Sequence, residues 1–146
     1  MDRRDTLLAL AGAGLLAASG SATASNHQHH GHHGHSMALH DALIAAASKC
    51  VSTGEACLAH CLVLLADGDK AMAECAQSVN ETLAICGALR SLAGQQSNHT
   101  PAMAKVALDA CVECEKACKK HADKHAECKA CMEACAECAK ACKALA

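Results

Sequence analysis

The chain contains no phenylalanine, tyrosine or tryptophan, and a single proline, in 146 residues. Without aromatics the largest single burial contributions are missing, which argues against a conventional hydrophobic core. The same absence removes the stacking platforms on which single-strand nucleic-acid binders depend. Formal net charge is −2, so no positive excess points to nucleic acid or an anionic membrane surface. The apolar fraction is 52%, but alanine and cysteine dominate it, so helices can approach closely while offering little bulk. This length fits one small domain with extensions at its ends.

Sulfur is what the chain has in abundance. Thirteen cysteines recur at three- or four-residue steps inside alanine-rich stretches that read as helix. At about 100° per residue, Cys128, Cys131, Cys135, Cys138 and Cys142 fall within a sector about 80° wide. Cys50, Cys57 and Cys61 fall within about 40°, on the stripe that also carries Leu39, Leu43 and Leu64. Cys75 and Cys86 lie about 20° apart beside Val79 and Leu89, and Cys111, Cys114 and Cys118 span about 60°.

Four amphipathic segments carry these stripes. The first spans about 38–66 and stops at Asp67-Gly68, a turn signal. The second spans about 69–93, with Asp69 as N-cap and Gly94 at its end. The third spans about 100–121, with Thr100 as N-cap and Pro101 at the first helical position. The fourth spans about 124–145. Short connections favour antiparallel neighbours, so the expected fold is all-α: an up-down-up-down four-helix bundle with a cysteine-lined core. In that register one end collects Leu39, Leu43, Leu89, Met103 and Leu145 as an apolar plug. The other collects His60, Met72, His121 and His125, which suggests an entrance. His121 and His125 read as solvated residues of that rim rather than as ligands.

Ahead of the bundle, Arg3-Arg4, the apolar run Leu7 to Ala18 and Ala22-Thr23-Ala24 resemble an export signal with a small-x-small cleavage site. The run is too short for a membrane span. The paired arginines resemble a twin-arginine signal, with an ordinary secretory signal as the alternative. The expected organisation is therefore a signal over 1–24, a flexible histidine-rich tail over 25–37 and a bundle over 38–146, exported to the periplasm or another extracytoplasmic space. No membrane span is expected in the mature form. Imidazoles at the density of His27 to His35 can hold borderline divalent metals loosely.

An exported, cysteine-rich chain invites a disulfide scaffold. Geometry resists it. Thirteen is odd, and thiols three or four apart on one helix have Cβ atoms about 5–6 Å apart, beyond the roughly 3.5–4.5 Å that a disulfide needs. Soft thiolates select Cu(I), zinc or iron–sulfur clusters. Zinc prefers separated four-ligand knuckles, and each such four-cysteine group would bury about two negative charges. The ferredoxin spacing ending in Cys-Pro is absent. Cu(I) accepts two or three thiolates, each of which can bridge two ions, so about one Cu(I) per cysteine leaves the core near neutral.

Cys111-x-x-Cys114-x-x-x-Cys118, followed by Cys128-x-x-Cys131-x-x-x-Cys135-x-x-Cys138-x-x-x-Cys142, resembles the copper storage protein family. Cys57-Leu58-Ala59-His60-Cys61, with Met72 and Cys75, is similar to that family's first helix pair. The resemblance covers roughly 37–145. It implies multiple Cu(I) ions held by all thirteen cysteines inside a preformed bundle, a homotetramer, and His60 and Met72 as mouth ligands. It also implies supply to a copper enzyme, as in an exported branch described in methane oxidisers. Leu64 and Asp67 stand where exported relatives can carry further methionines. No isolated Ser-His-Asp or Cys-His dyad suggests catalysis, so no enzyme is expected. The competing readings are a disulfide-rich exported structural or redox protein and a copper chaperone of low stoichiometry.

Overall fold

The computed structural model describes residues 33–145, with side chains described from Met37 onward. The order is α1 His33–Ala66, a short 3-10 turn Lys70–Met72, α2 Ala73–Gly94, α3 Thr100–Lys119 and α4 Ala126–Lys143. There is no strand among the described residues. Helix α1 begins at His33, ahead of the expected start at Ala38, because the intervening residues contain no proline to stop it. The expected signal, 1–24, and the first part of the histidine-rich segment lie outside the described residues.

Each helix ends for a local reason. After α1, Gly68 takes φ 94°, which glycine adopts without a Cβ clash. Asp69 N–H then donates to the Leu64 carbonyl at 2.9 Å and Gly68 N–H to the Leu65 carbonyl at 3.0 Å, the paired bonds of a Schellman stop. Asp69 caps as expected, its Oδ1 accepting from Ala71 N–H at 3.1 Å. The turn that it caps is 3-10, however, and α2 proper starts later, at Ala73. Thr100 departs from expectation. It is the first residue of α3 rather than its cap, it is fully buried, and its hydroxyl has no hydrogen-bond partner. Its side chain faces the core, so it is not turned toward the free N–H groups of the helix end.

Helix α1 packs on α2 and α4, and α3 packs on the same two; the backbones of diagonal helices stay apart, and such helices meet through side chains at the axis, as Cys86 and Cys138 do at 3.9 Å. The four helices thus form a square around one axis. Cys75 approaches Cys118 while Cys86 approaches Cys111 across α2 and α3. Cys57 approaches Cys128 while Cys50 approaches Cys135 across α1 and α4. Numbers rise on one helix as they fall on its neighbour, so these neighbours run in opposite directions. Midway along, α1 and α2 come close at Gly54, where an added Cβ would meet Leu83 Cδ2 at 2.9 Å.

At one end Leu43, Leu89, Ala93, Thr100, Ala104 and Ala107 are buried together. Leu39, Met103 and Leu145 lie partly buried at its margin. This plug holds Leu43 and Leu89, two of the largest fully buried side chains, with Met72 and Val79 the others of that size. Fully burying a residue of this size stabilises by roughly 1.5–3 kcal/mol, so a few residues supply much of the apolar drive. An exposed ion pair, Lys120 Nζ to the Glu74 carboxylate at 2.7 and 2.8 Å, ties α3 to α2 near the other end. Exposed pairs contribute about 0–1 kcal/mol, so this one guides register more than it stabilises.

Candidate metal centre

The thiol stripes converge. All thirteen cysteines are buried and free, none more than 2% exposed. Cross-helix sulfurs approach to 3.6 Å for Cys75–Cys118 and Cys86–Cys111, 3.7 Å for Cys50–Cys135 and 3.8 Å for Cys57–Cys128. Two quartets, Cys50 with Cys86, Cys111 and Cys138, and Cys57 with Cys61, Cys75 and Cys128, each gather four sulfurs within 4.8 Å of one another. Two trios, Cys57 with Cys118 and Cys131, and Cys114 with Cys131 and Cys135, do the same with three. Twice a metal–thiolate bond of about 2.3 Å nearly spans that distance. Each group can therefore share an ion with little movement. Cys142, at the far end of the α4 stripe, is buried as the others are.

So many ionisable groups in one dry column cannot all be charged. Hydrogen bonds from Cys111, then Cys135 and Cys138, hold Cys50 below the ordinary thiol range. Bonds from Cys118, Cys131 and Cys135 do the same for Cys114. At Cys131 the bond with Cys114 works upward, but bonds from Cys118, Cys135 and Cys57 outweigh it and bring the thiol to about 6. Cys61 and Cys128 go the other way. Burial first, and then the negative charge of Cys57 and Cys75, pushes both up. Uptake of a cation at those two positions must displace a proton.

The upward shifts have a measurable consequence. An unfolded thiol titrates near about 8.5. A thiol raised by folding adds stability that is complete below that value and is lost as pH climbs toward the folded pKa. Thiols lowered by folding have their full effect above about pH 8.5 and change nothing further there. Alkaline conditions therefore isolate the raised group. The melting temperature of the copper-free protein, followed anaerobically by circular dichroism, should fall between about pH 8.5 and 10.5. A rise over that interval would contradict the assignment.

At the end away from the plug, His60 Nε2 and His125 Nδ1 lie 2.9 Å apart. Glu127 Oε2 is 3.8 Å from the other nitrogen of His60, and the His121 ring centroid is 6.4 Å from that of His125. The His60 side chain is 26% exposed, so imidazole borders water here directly beside Cys61. Met72, expected at the same rim, is fully buried on the 3-10 turn and packs in the core. The pairing of His60 with His125 was not anticipated from the sequence. A signal for it exists: His60 stands three residues after Cys57 and His125 three before Cys128, and those two cysteines pair across α1 and α4.

The arrangement is a soft-donor tube, plugged by leucine at one end and rimmed by imidazole at the other. A family model described as copper storage protein matches residues 36–146. The chain belongs to the copper storage protein family. Its cysteine groups store copper as Cu(I), several ions to a chain. A solved structure described as Cu(I)-bound copper storage protein BsCsp3 is similar at 25% identity and TM-score 0.66, covering 74% of this chain and 98% of its own. A cytosolic copper storage protein from Streptomyces lividans, solved with five coppers, is similar at 25% identity and TM-score 0.70, covering 77% of this chain and 95% of its own. No curated relative matches the sequence.

These likenesses correct the expected localisation. Export to the periplasm rested on residues 1–24, which lie outside the described residues, whereas the bundle matches a cytosolic storage protein. The physical reason is the weakness of the signal. Leucine–alanine runs and small-residue triplets arise readily in a chain this rich in alanine.

Proposed function

We propose that this protein takes up about one Cu(I) per cysteine, with all thirteen thiols as ligands and His60 and Met72 serving at the mouth. Residues 38–146 form the storage domain. The supporting observation is a single column of buried, free thiols from four helices, most of whose sulfurs lie 3.6–4.0 Å from a neighbour. Monovalent copper suits such a column because each ion replaces one proton and leaves the interior close to neutral, whereas a series of divalent thiolate sites would bury excess negative charge. His60, beside water and one residue from Cys61, is placed to receive the ion first. The role is one of holding and supplying copper to a recipient copper enzyme, without catalysis by this chain.

The chain also works as a homotetramer in this proposal. Met37–Ala66 is long and apolar enough to cross a membrane, yet only 28% of its most apolar window is buried. Its outer side leaves Leu62 55% and Val63 60% exposed. A contiguous exposed apolar surface on a helix whose other side is packed marks an interaction face, and a second copy of this chain is the partner proposed. Light scattering coupled to gel filtration should give a tetramer mass. Leu62→Glu together with Val63→Glu should break it without changing copper capacity.

Anaerobic titration of Cu(I) against a strong competing chelator tests the storage reading. Saturation near the number of cysteines is expected. Saturation at about one or two ions would make the protein a chaperone. A count of reactive thiols near zero under denaturing, non-reducing conditions would instead favour the disulfide-bonded reading.

A further inference from the structure

The thiol column is interrupted on one side. Helix α4 carries thiols without a gap, and α3 contributes Cys111, Cys114 and Cys118 in succession. Helix α1, however, passes from Cys50 to Cys57 and α2 from Cys75 to Cys86 with no thiol between. The residues that fill those intervals meet at one level. A narrow crevice there is lined by Gly54, Val79, Thr82 and Leu83 on the α1–α2 side and by Cys114 and Cys131 opposite, with Cys50 at its edge. Thr82 is 3% exposed and Val79 1%. The Thr82 hydroxyl donates to the Ser78 carbonyl at 2.9 Å, with the Ala110 carbonyl at 3.3 Å. A hydroxyl is a hard donor and valine is none, so this wall has no ligand for a soft cation. Gly54 supplies no ligand either, and a Cβ there would meet the Leu83 methyl at 2.9 Å, so Leu83 would have to shift to admit one.

We infer that the interior is two thiolate basins joined by a one-sided waist, and that Val79 and Thr82 keep them apart. The mouth basin gathers Cys57, Cys61, Cys75 and Cys128, with Cys118 against Cys75. The inner basin gathers Cys50, Cys86, Cys111 and Cys138, with Cys135 against Cys50. Cys114, Cys131 and Cys135, all on α3 and α4, are the connection between them. An ion passing inward exchanges thiolate for thiolate along that wall alone. At each transfer one copper–sulfur bond forms as another breaks, and the copper stays monovalent. The inner basin holds Cu(I) more tightly, because no water-facing imidazole borders it and the leucine plug closes its far side. At equilibrium, copper taken at the mouth therefore drains inward and fills that basin first.

This inference rests on the storage reading, and one experiment separates the two. The full chain, reduced and anaerobic, is brought to half of its saturating Cu(I) and equilibrated. Accessible thiols are then alkylated and located by peptide mass spectrometry. Cys50, Cys86, Cys111 and Cys138 should be protected while Cys57, Cys61, Cys75 and Cys128 still react, and chelator competition should show two separate steps. Thr82→Cys is close to isosteric. It should merge the steps and raise the saturating copper by about one ion per chain, a third soft ligand now bridging the gap. Thr82→Val, also isosteric, should keep two steps and the original capacity. Full capacity with protection spread evenly over both basins, or indistinguishable titrations of Thr82→Cys and Thr82→Val, would overturn the two-basin inference alone. A wild-type capacity of about one or two ions would overturn the storage reading, and the inference with it.

Discussion

Saturated with Cu(I), the bundle should stay folded beyond about 90 °C, the range counted as hyperstable, while the copper-free protein should melt in the ordinary range. The copper-free core is assembled from alanine, cysteine and a few larger side chains, and domains of this size hold together by only about 5–15 kcal/mol. A ligand that binds only the folded state adds about 4 kcal/mol when present at a thousand times its dissociation constant. Each ion held between helices adds on that scale, so even a few exceed the whole stability of the empty bundle. Copper that links α1 to α4 through Cys57 and Cys128, and α2 to α3 through Cys75 and Cys118, also joins segments distant in sequence. Anaerobic calorimetry with and without copper measures the effect. A rise of only a few degrees would mean that copper is not held between helices.

Leu89→Ala should produce the second large effect, and only in the empty protein. Leu89 is fully buried at the plug, one of the few large side chains in the core. Truncating a buried leucine to alanine costs about 2–5 kcal/mol, part of it from the cavity left behind. Against the marginal stability of the copper-free state this should lower the melting temperature by on the order of 10 °C or more. The copper-loaded variant should melt within a few degrees of the loaded wild type, because metal bonds between helices then carry the stability. Chemical denaturation of both forms checks this. An equal loss in the two would show that the plug and the thiol column stabilise independently of copper. A negligible loss in the empty form would show that leucine packing does not hold it.

Much of this protein is legible without coordinates. The stripe angles place every cysteine on an inward face, and all thirteen are buried. The stop after α1 is marked by Asp67-Gly68, and Gly68 does take the left-handed conformation. Where local rules fail, packing overrides them. Thr100 has the chemistry of a cap and is instead turned into the core, and the start of α2 tightens into a 3-10 turn that buries Met72. His125, read as a residue of the rim, is half-buried there and also meets His60 from α1, a pairing that the spacing within one helix does not give. The histidine-rich segment and the leader are compositional patterns. They convey little about structure, and the leader misleads about location.

By itself the order of residues determined which sulfurs share a helix face, because helical geometry converts three- and four-residue spacing into direction without reference to any other part of the chain. It thereby also determined the class of metal that such faces would hold. Only the tertiary structure decided which sulfurs become neighbours, where two imidazoles meet at the rim, and that Gly54 and Leu83 bring α1 against α2 at a level where thiols line only the opposite wall. Those outcomes depend on the axial register and separation of whole helices. Packing of side chains from all four sets these together, and no stretch of one helix encodes them.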